Sequence, residues 1–291
     1  HARCLRYWAA QAAGDREREL EALAAAPVGD LYALWSRQAL GRPQPEPPRW
    51  AADLPPAPPP ASVQRLLDAG APREALRQWR WLRDLRSPLP AEALAAAELS
   101  AQNGLTVDAI RWLRSGFPEL GTVELAAAPE NAVGAYLPLR WREALLAASA
   151  EAGIEPWLVA AVARQESTFA AHAESSRGAI GVLQLLPSTA RVHSRALGFG
   201  PDPDLRDPEL NLRLGARELA RLVRGFGAVE PALAAYNAGE TRVRKWLREQ
   251  PDPRRFAELI PIPETYTYVR RVSYLSEAYR LRYAELWEGP P

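Results

Sequence analysis

In the stretch VARQESTFAA, residues 162–171, a carboxylate sits on what is otherwise an apolar helix face. At roughly 100° per residue, Leu158, Val159, Val162 and Ala163 project to one side of a helix, Glu166 falls in the middle of that side, and Arg164 points the opposite way. An unpartnered carboxylate costs several kcal/mol to bury unless it stays protonated. That protonated state is chemically useful. An acid raised from its ordinary pKa of about 4.3 can deliver a proton near neutrality to an oxygen leaving in a bond cleavage. The residue types alone leave two other readings open: a solvated glutamate at a helix end, or one paired with Arg164 or Arg177.

The elements that must hold this acid are helical. Over residues 133–291 short helical stretches are interrupted by Gly and Pro at GIEP, SSRGAIG, GFGPDPD, GFGAVEP and IPIPE, which predicts loops lining a cleft between helices. Residues 63–132 are helical and Ala-rich, with RLLDAGAPREALRQWRWLRDL reading as helix, Gly turn, helix, followed by PAEALAAAELSAQNG and TVDAIRWLRSG. Trp79, Trp81 and Trp112 there read as core or interface residues, with sugar stacking as the alternative. Residues 42–62, RPQPEPPRWAADLPPAPPPAS, hold too much proline for a helix or a central strand and predict a stiff connector and a domain boundary. Residues 1–41 predict three short helices with a break at Gly14. There Trp8, Leu31, Tyr32 and Trp35 are spaced like one unit of an α-solenoid, which implies further repeats before it. With almost no β pattern anywhere, the expected fold is all-α.

Composition narrows the chemistry. The 291 residues carry a formal charge of +1, 47% hydrophobic and 24% charged residues, and dispersed arginine, which argues against a nucleic-acid platform or a polybasic membrane anchor. No stretch reaches the ~18 to 20 apolar residues of a membrane span, and HARCLRYW lacks the apolar segment of a secretory signal. A start at histidine points to a processed or shortened chain. Cys4 is the single cysteine, so no intrachain disulfide forms, and no zinc-ligand spacing occurs. PDPDLRDPE departs from a calcium loop through its prolines and missing glycine, so its aspartates are expected to start helices and turns. His172 and His193 lack partners at ligand spacing and are expected at the surface. No metal or cofactor is expected.

Four blocks then carry a resemblance: RQES around Glu166, SSRGAIGVLQLLP downstream, AYNAG at 235–239 and IPIPETYTYV at 260–269. In order and approximate spacing they resemble the soluble lytic transglycosylases of bacterial cell walls. The resemblance implies a C-terminal lysozyme-like catalytic domain of the goose type at 133–291, a helical linker domain at 63–132, the connector at 42–62 and the end of a superhelical region at 1–41. It implies Glu166 as the single catalytic carboxylate and Ser175 and Tyr236 as its support. Gln184, Asn237, Glu264 and Tyr268 then become substrate-binding residues; Tyr266 and Tyr268 read as sugar-stacking faces or, more often for such residues, as simple packing. Without the resemblance Ser175 is a turn residue, Gln184 an exposed helix amide, Tyr236 a buried phenol and Glu264 an acid at a helix start. Val182 and Leu183 replace the family's Leu-Met, near volume-preserving swaps, and Glu240 stands where relatives have proline, which raises the question of a second acid.

Ordinary glycoside hydrolysis uses two carboxyls about 5 to 9.5 Å apart. A single acid suffices if the sugar supplies its own nucleophile, because an internal hydroxyl has a high effective concentration. The resemblance thus implies non-hydrolytic cleavage of the MurNAc-β-1,4-GlcNAc bond to 1,6-anhydro products, with peptidoglycan glycan strands as substrate, cell-wall synthesis proteins as further partners, and a periplasmic location. A muramidase-type hydrolase and a non-catalytic glycan-binding scaffold are the alternatives.

Overall fold

The structure is a computed structural model describing residues 2–12, 16–26, 29–43, 45–85 and 87–287. Among these residues there are seventeen α-helices, one 3-10 turn and only isolated β-bridges. The expected break at Gly14 lies outside the described residues. Two compact units divide the chain, His1–Pro138 and Leu139–Pro291.

In the first unit, α1 (Ala2–Ala12), α2 (Arg16–Ala24) and α3 (Leu31–Ala39) pack together through an aromatic cluster. Tyr7 takes its innermost place, with ring centroids 5.2 Å from Trp8 and 5.4 Å from Trp35. Four more helices follow, α4 (Ala61–Asp68), α5 (Pro72–Leu85), α6 (Pro90–Gln102) and α7 (Thr106–Gly116), before a short α8 (Glu130–Tyr136). A Cβ on Gly116 would lie 2.4 Å from the Ala93 Cβ, so this glycine is what lets α6 and α7 approach closely. Trp79 and Trp112 are buried with centroids 6.0 Å apart, whereas Trp81, expected in a core or interface, is 56% exposed.

The Pro-rich segment behaves differently from a free connector. It lies within the first unit and is stitched to it: Ala57 N–H donates to the Ala91 carbonyl at 3.0 Å, Glu130 N–H to Ala51 at 3.0 Å, and the Asn131 amide donates to the Leu54 carbonyl at 2.8 Å. Proline prevents helix and sheet pairing, but the remaining backbone groups still need partners, and the helix ends at 91 and 130–131 supply them.

The second unit is built around α10 (Pro156–Glu166), which packs on α9 (Arg142–Ala152) and on the long α16 (Pro263–Arg282). Residues 158–164 of α10 are all buried, Arg164 included at 8% exposure. The sequence pattern of one apolar face opposite Arg164 is therefore corrected: α10 is enclosed on all sides because small residues, Ala160, Ala161 and Ala163, let neighbours close over it. Around this helix stand α11 (Pro187–Ala196), α12 (Pro208–Phe226), α13 (Val229–Ala238), α14 (Glu240–Glu249), α15 (Pro253–Glu258) and α17 (Ala284–Trp287). Proline opens α10, α11, α12, α15 and α16, where its missing N–H costs no helical bond. Among the described residues no helix is long and apolar enough to cross a membrane.

Candidate active site

Glu166 is the last residue of α10, and the chain turns sharply after it. Ser167 donates its hydroxyl to the Val182 carbonyl at 2.7 Å and accepts from Ala170 N–H at 3.1 Å. Thr168 and Phe169 then both adopt left-handed backbone, φ 52° and 61°. A β-branched residue in that region is strained, and here burial holds it: Phe169 is 0% and Thr168 6% exposed. The Trp141 indole N–H reaches the Phe169 carbonyl at 3.4 Å.

The loop facing the acid, residues 170–186, is held from below by Asn211 of α12. Its Oδ1 accepts from Leu183 N–H at 2.8 Å while its Nδ2 donates to the carbonyls of Ile180 and Leu205, both at 3.0 Å. Asn211 is 0% exposed, so each of these bonds answers a buried polar group. Two glycines make room for this bracket. Gly181, at φ +85°, would bring a Cβ to 2.2 Å from the Leu205 carbonyl, and Gly215 would bring one to 2.4 Å from Leu183. Val182 and Leu183, the two departures from the family pattern, are 0% exposed in this wall.

Glu166 itself is half-buried and makes no ion pair among the described residues. It is bonded by Tyr268 of α16, whose hydroxyl donates to Oε1 at 2.7 Å. Burial pushes the Glu166 carboxyl up to about 7, the Tyr268 bond pulls against this, and the nearby Glu264 carboxylate adds to it. Neither Arg164 nor Arg177 neutralises it, so both alternative readings of its position fall.

The other expected residues are placed as follows. Tyr236 of α13 donates its hydroxyl to the Leu183 carbonyl at 2.7 Å, and its ring packs against Leu185, Ala190, Leu205 and Leu214. Burial raises both phenols well above their ordinary range, and the Glu166 charge adds to this, so both stay protonated donors. Tyr268 is 5% exposed, which leaves no ring face for a sugar, so the stacking expected of it is corrected to a hydrogen bond on the acid. The Ser175 hydroxyl accepts from Ala179 N–H at 3.0 Å and shapes a turn instead of touching Glu166. Gln184, at φ 47°, spends its amide N–H groups on the Ala173 and Gly181 carbonyls, 3.0 Å each, which leaves its side-chain carbonyl to accept. Asn237 accepts from the Thr265 hydroxyl at 2.7 Å, joining α13 to the start of α16, and Glu264 is exposed beside that joint.

A second group of acids lies beyond Tyr236. His193, expected at the surface, is 5% exposed and its Nε2 lies 2.7 Å from Glu218. Arg221 donates to Glu218 at 2.8 Å and to Glu240 at 2.8 Å, and Arg244 donates to Glu240 at 2.9 Å. Arg244 and Arg221 hold the Glu240 carboxyl below its ordinary value. Burial opposes ionisation of Glu218, yet the bonds from His193 and Arg221 leave its pKa lowered overall. Both acids are thus held as anions by their partners, unlike Glu166. In the PDPDLRDPE run, Asp207 caps α12 by accepting from Glu209 N–H at 2.9 Å, and Asp204 closes a turn onto Arg206 N–H at 2.9 Å.

Asn211 is a site residue that the motif pattern passes over, although a signal is present. Asn211, Gly215 and Glu218 recur at helical spacing on a face that Leu214 and Leu222 help bury, so a polar and glycine stripe there marks something held close.

Residues 143–258 match the family described as Transglycosylase SLT domain. The soluble lytic murein transglycosylase of Escherichia coli (strain K12) is 38% identical over 128 residues, which is 41% of this chain and 20% of that protein. A solved structure of an inactive mutant of lytic transglycosylase Slt from Pseudomonas aeruginosa superposes with a TM-score of 0.70 at 26% identity, covering 99% of this chain and 47% of that one. The 70 kDa soluble lytic transglycosylase of E. coli superposes at 0.67 with 24% identity, covering 94% of this chain and 45% of that one, a likeness of fold. The chain thus spans less than half the length of these relatives. Its fold is all-α, with a lysozyme-like helical unit preceded by helical repeats, and residues 143–258 of its C-terminal unit match the transglycosylase SLT domain.

Proposed function

We propose that this chain cleaves peptidoglycan glycan strands as a lytic transglycosylase, with Glu166 as its single general acid and base. The observation that carries the reading is a half-buried, ion-pair-free carboxyl whose pKa stands at about 7, inside a domain of that family. Protonated Glu166 gives its proton to the glycosidic oxygen between MurNAc and GlcNAc, and the C1–O bond breaks. The carboxylate so formed then takes the proton of the C6 hydroxyl, whose oxygen closes on C1 to give the 1,6-anhydro sugar. Glu166 ends protonated, as it began, and no cofactor enters the cycle.

Each neighbour has a part. Tyr268 holds Oε1 through its hydroxyl and steadies the carboxylate intermediate between the two proton transfers. Tyr236 and Ser175 act at one remove, by fixing the 173–185 loop, and the free carbonyl of Gln184, the Asn237 amide and the Glu264 carboxylate are groups for sugar hydroxyl and acetamido contacts. The substrate would place the protein in the periplasm.

Product analysis by mass spectrometry on purified murein tests substrate, bond and reaction type together. Anhydro-muropeptides are the expected product. Reducing-end MurNAc without them would mean a muramidase, and an unchanged substrate with no cleared zone in a murein gel would mean a non-catalytic scaffold.

A further inference from the structure

Tyr236 is held in place by two helices that contribute nothing to the reacting groups. Its ring packs against Ala190 of α11 and Leu214 of α12, with Leu185 and Leu205 beside them, and its hydroxyl donates to the Leu183 carbonyl at 2.7 Å. His193 follows Ala190 by three residues on α11, and Glu218 follows Leu214 by four on α12. Those steps return each side chain to its helix face one turn further on, which sets the two residues directly beyond the pair that grips the ring. There they bond: Nε2 of His193 lies 2.7 Å from Oε2 of Glu218, and both side chains are largely buried. Because Glu218 is held as an anion, the nitrogen facing it is the donor. Its charge also reaches the Tyr236 phenol.

The same face of α12 supports the wall of the site. Asn211 accepts from Leu183 N–H at 2.8 Å, and Gly215 leaves room for the Leu183 side chain. Leu183 is thus gripped twice, at its N–H by α12 and at its carbonyl by Tyr236, and the second grip depends on α11 and α12 closing on the ring. Arg221, the other partner of Glu218, belongs to α12 itself and donates to Oε2 at 2.8 Å and to Oε1 at 2.9 Å. His193 is therefore the partner that crosses between helices. The outer arm, Arg221 to Glu240 to Arg244, is exposed to screening and adds little.

We infer that His193 and Glu218 are positioning residues for the proposed cleavage: their bond clamps α11 to α12, and the clamp holds Tyr236, and through it the Leu183 carbonyl, in the loop that faces Glu166. The effect on turnover rests on the reading of the chain as a lytic transglycosylase, whereas the clamp itself does not.

His193→Leu breaks the clamp and leaves Glu218 its two bonds from Arg221, so the fold should survive, as circular dichroism melts will report. Amide hydrogen exchange by NMR reads the wall directly: protection of Leu183 and Leu185 N–H should fall about tenfold and return in His193→Gln, whose amide keeps a donor for Glu218. On glycan strands released from murein, His193→Leu should lower kcat about tenfold with KM within about twofold of the parent. Adding Tyr236→Phe should cost less than the product of the two single losses, since both act through one hydroxyl. If His193→Leu does not fold, Glu218→Gln weakens the same bond at constant size and carries the same readouts. Unchanged exchange in the wall, a loss confined to KM, losses that multiply, or a His193→Gln variant no better than His193→Leu would overturn the inference. A parent protein that cleaves no glycan would sink the transglycosylase reading, and the exchange data would still decide the clamp.

Discussion

Two sets of glutamates act on Tyr236, and their surroundings treat them in opposite ways. Glu166, at the end of α10, meets one phenol and no cation among the described residues. Glu218 and Glu240 share Arg221, and each has a second basic partner in His193 or Arg244. In the first case burial wins and the carboxyl stands at about 7; in the second the partners win and both acids are lowered. The contrast shows that the protein sets proton affinity by placing or withholding guanidinium groups, since carboxyls a few helices apart end on opposite sides of their ordinary value. It also bears on the question raised by Glu240: an anion clasped by two arginines is poorly suited to donating a proton, and both of its oxygens are engaged by guanidinium groups instead of free to attack a sugar carbon or activate water.

The largest test of that contrast is Glu166→Gln. On the proposed mechanism, loss of the carboxyl that shuttles the proton should lower turnover of murein by at least about 10³-fold, measured by release of soluble products. The same variant has a stability signature whose sign is fixed. Because the folded-state pKa is raised, ionising Glu166 weighs against the fold; that penalty is absent below the unfolded value of 4.5, grows as pH rises, and is complete above about 7. Glu166→Gln should therefore melt higher than the parent at pH 8, by on the order of 3 kcal/mol at most, and the two should converge near pH 4. A difference between the two that does not change from pH 4 to pH 8 would show the acid to be solvated.

Next in size is Asn211→Ala, which leaves Leu183 N–H and the Leu205 carbonyl without their bonds and takes one of two donors from the Ile180 carbonyl, which keeps Leu185 N–H. Denaturant unfolding should register a loss of about 3 to 5 kcal/mol, within the range for breaking a buried polar network. A loss below about 1 kcal/mol would mean the wall of the site stands without it.

Smaller effects should appear in the pH–rate profile. Activity needs protonated Glu166 and so falls as pH rises through about 7. Tyr268→Phe removes the bond that favours the carboxylate, which should move the alkaline limb to higher pH. Glu264→Gln removes a neighbouring negative charge and should move it lower. Shifts in the same direction would contradict the assignment of the two influences. The smallest expected effect is Glu240→Gln, whose turnover should stay within about threefold of the parent; a collapse matching that of Glu166→Gln would restore two-carboxylate hydrolysis.

Much of this arrangement is legible in the residues themselves. The helices at 61–68, 72–85, 90–102 and 106–116 follow the apolar spacing and the Gly and Pro punctuation, because local signals there agree with the packing. Glu166 stands out as an acid among apolar residues. What a one-dimensional pattern does not supply is which distant groups meet it. Tyr268 is 102 residues away, and a buried tyrosine at helical spacing looks the same whether its hydroxyl meets a carbonyl or an acid. Arg164 misleads for a related reason: a wheel shows direction around one helix but not how many neighbours surround it, and α10 is enclosed on the side the arginine takes. The tethering of 42–62 likewise arises from hydrogen bonds between stretches far apart in sequence, and the division at residue 138, six residues past the expected boundary, from how distant stretches pack.

The turn after Glu166 has one further consequence. Thr168 and Phe169 sit in a backbone region that disfavours both, so a glycine at 168 would ease the strain there and free the unfolded chain at the same time. Strain held beside the carboxyl proposed as the proton donor fixes where the chain leaves α10, so relaxing Thr168 would loosen the aim of Glu166.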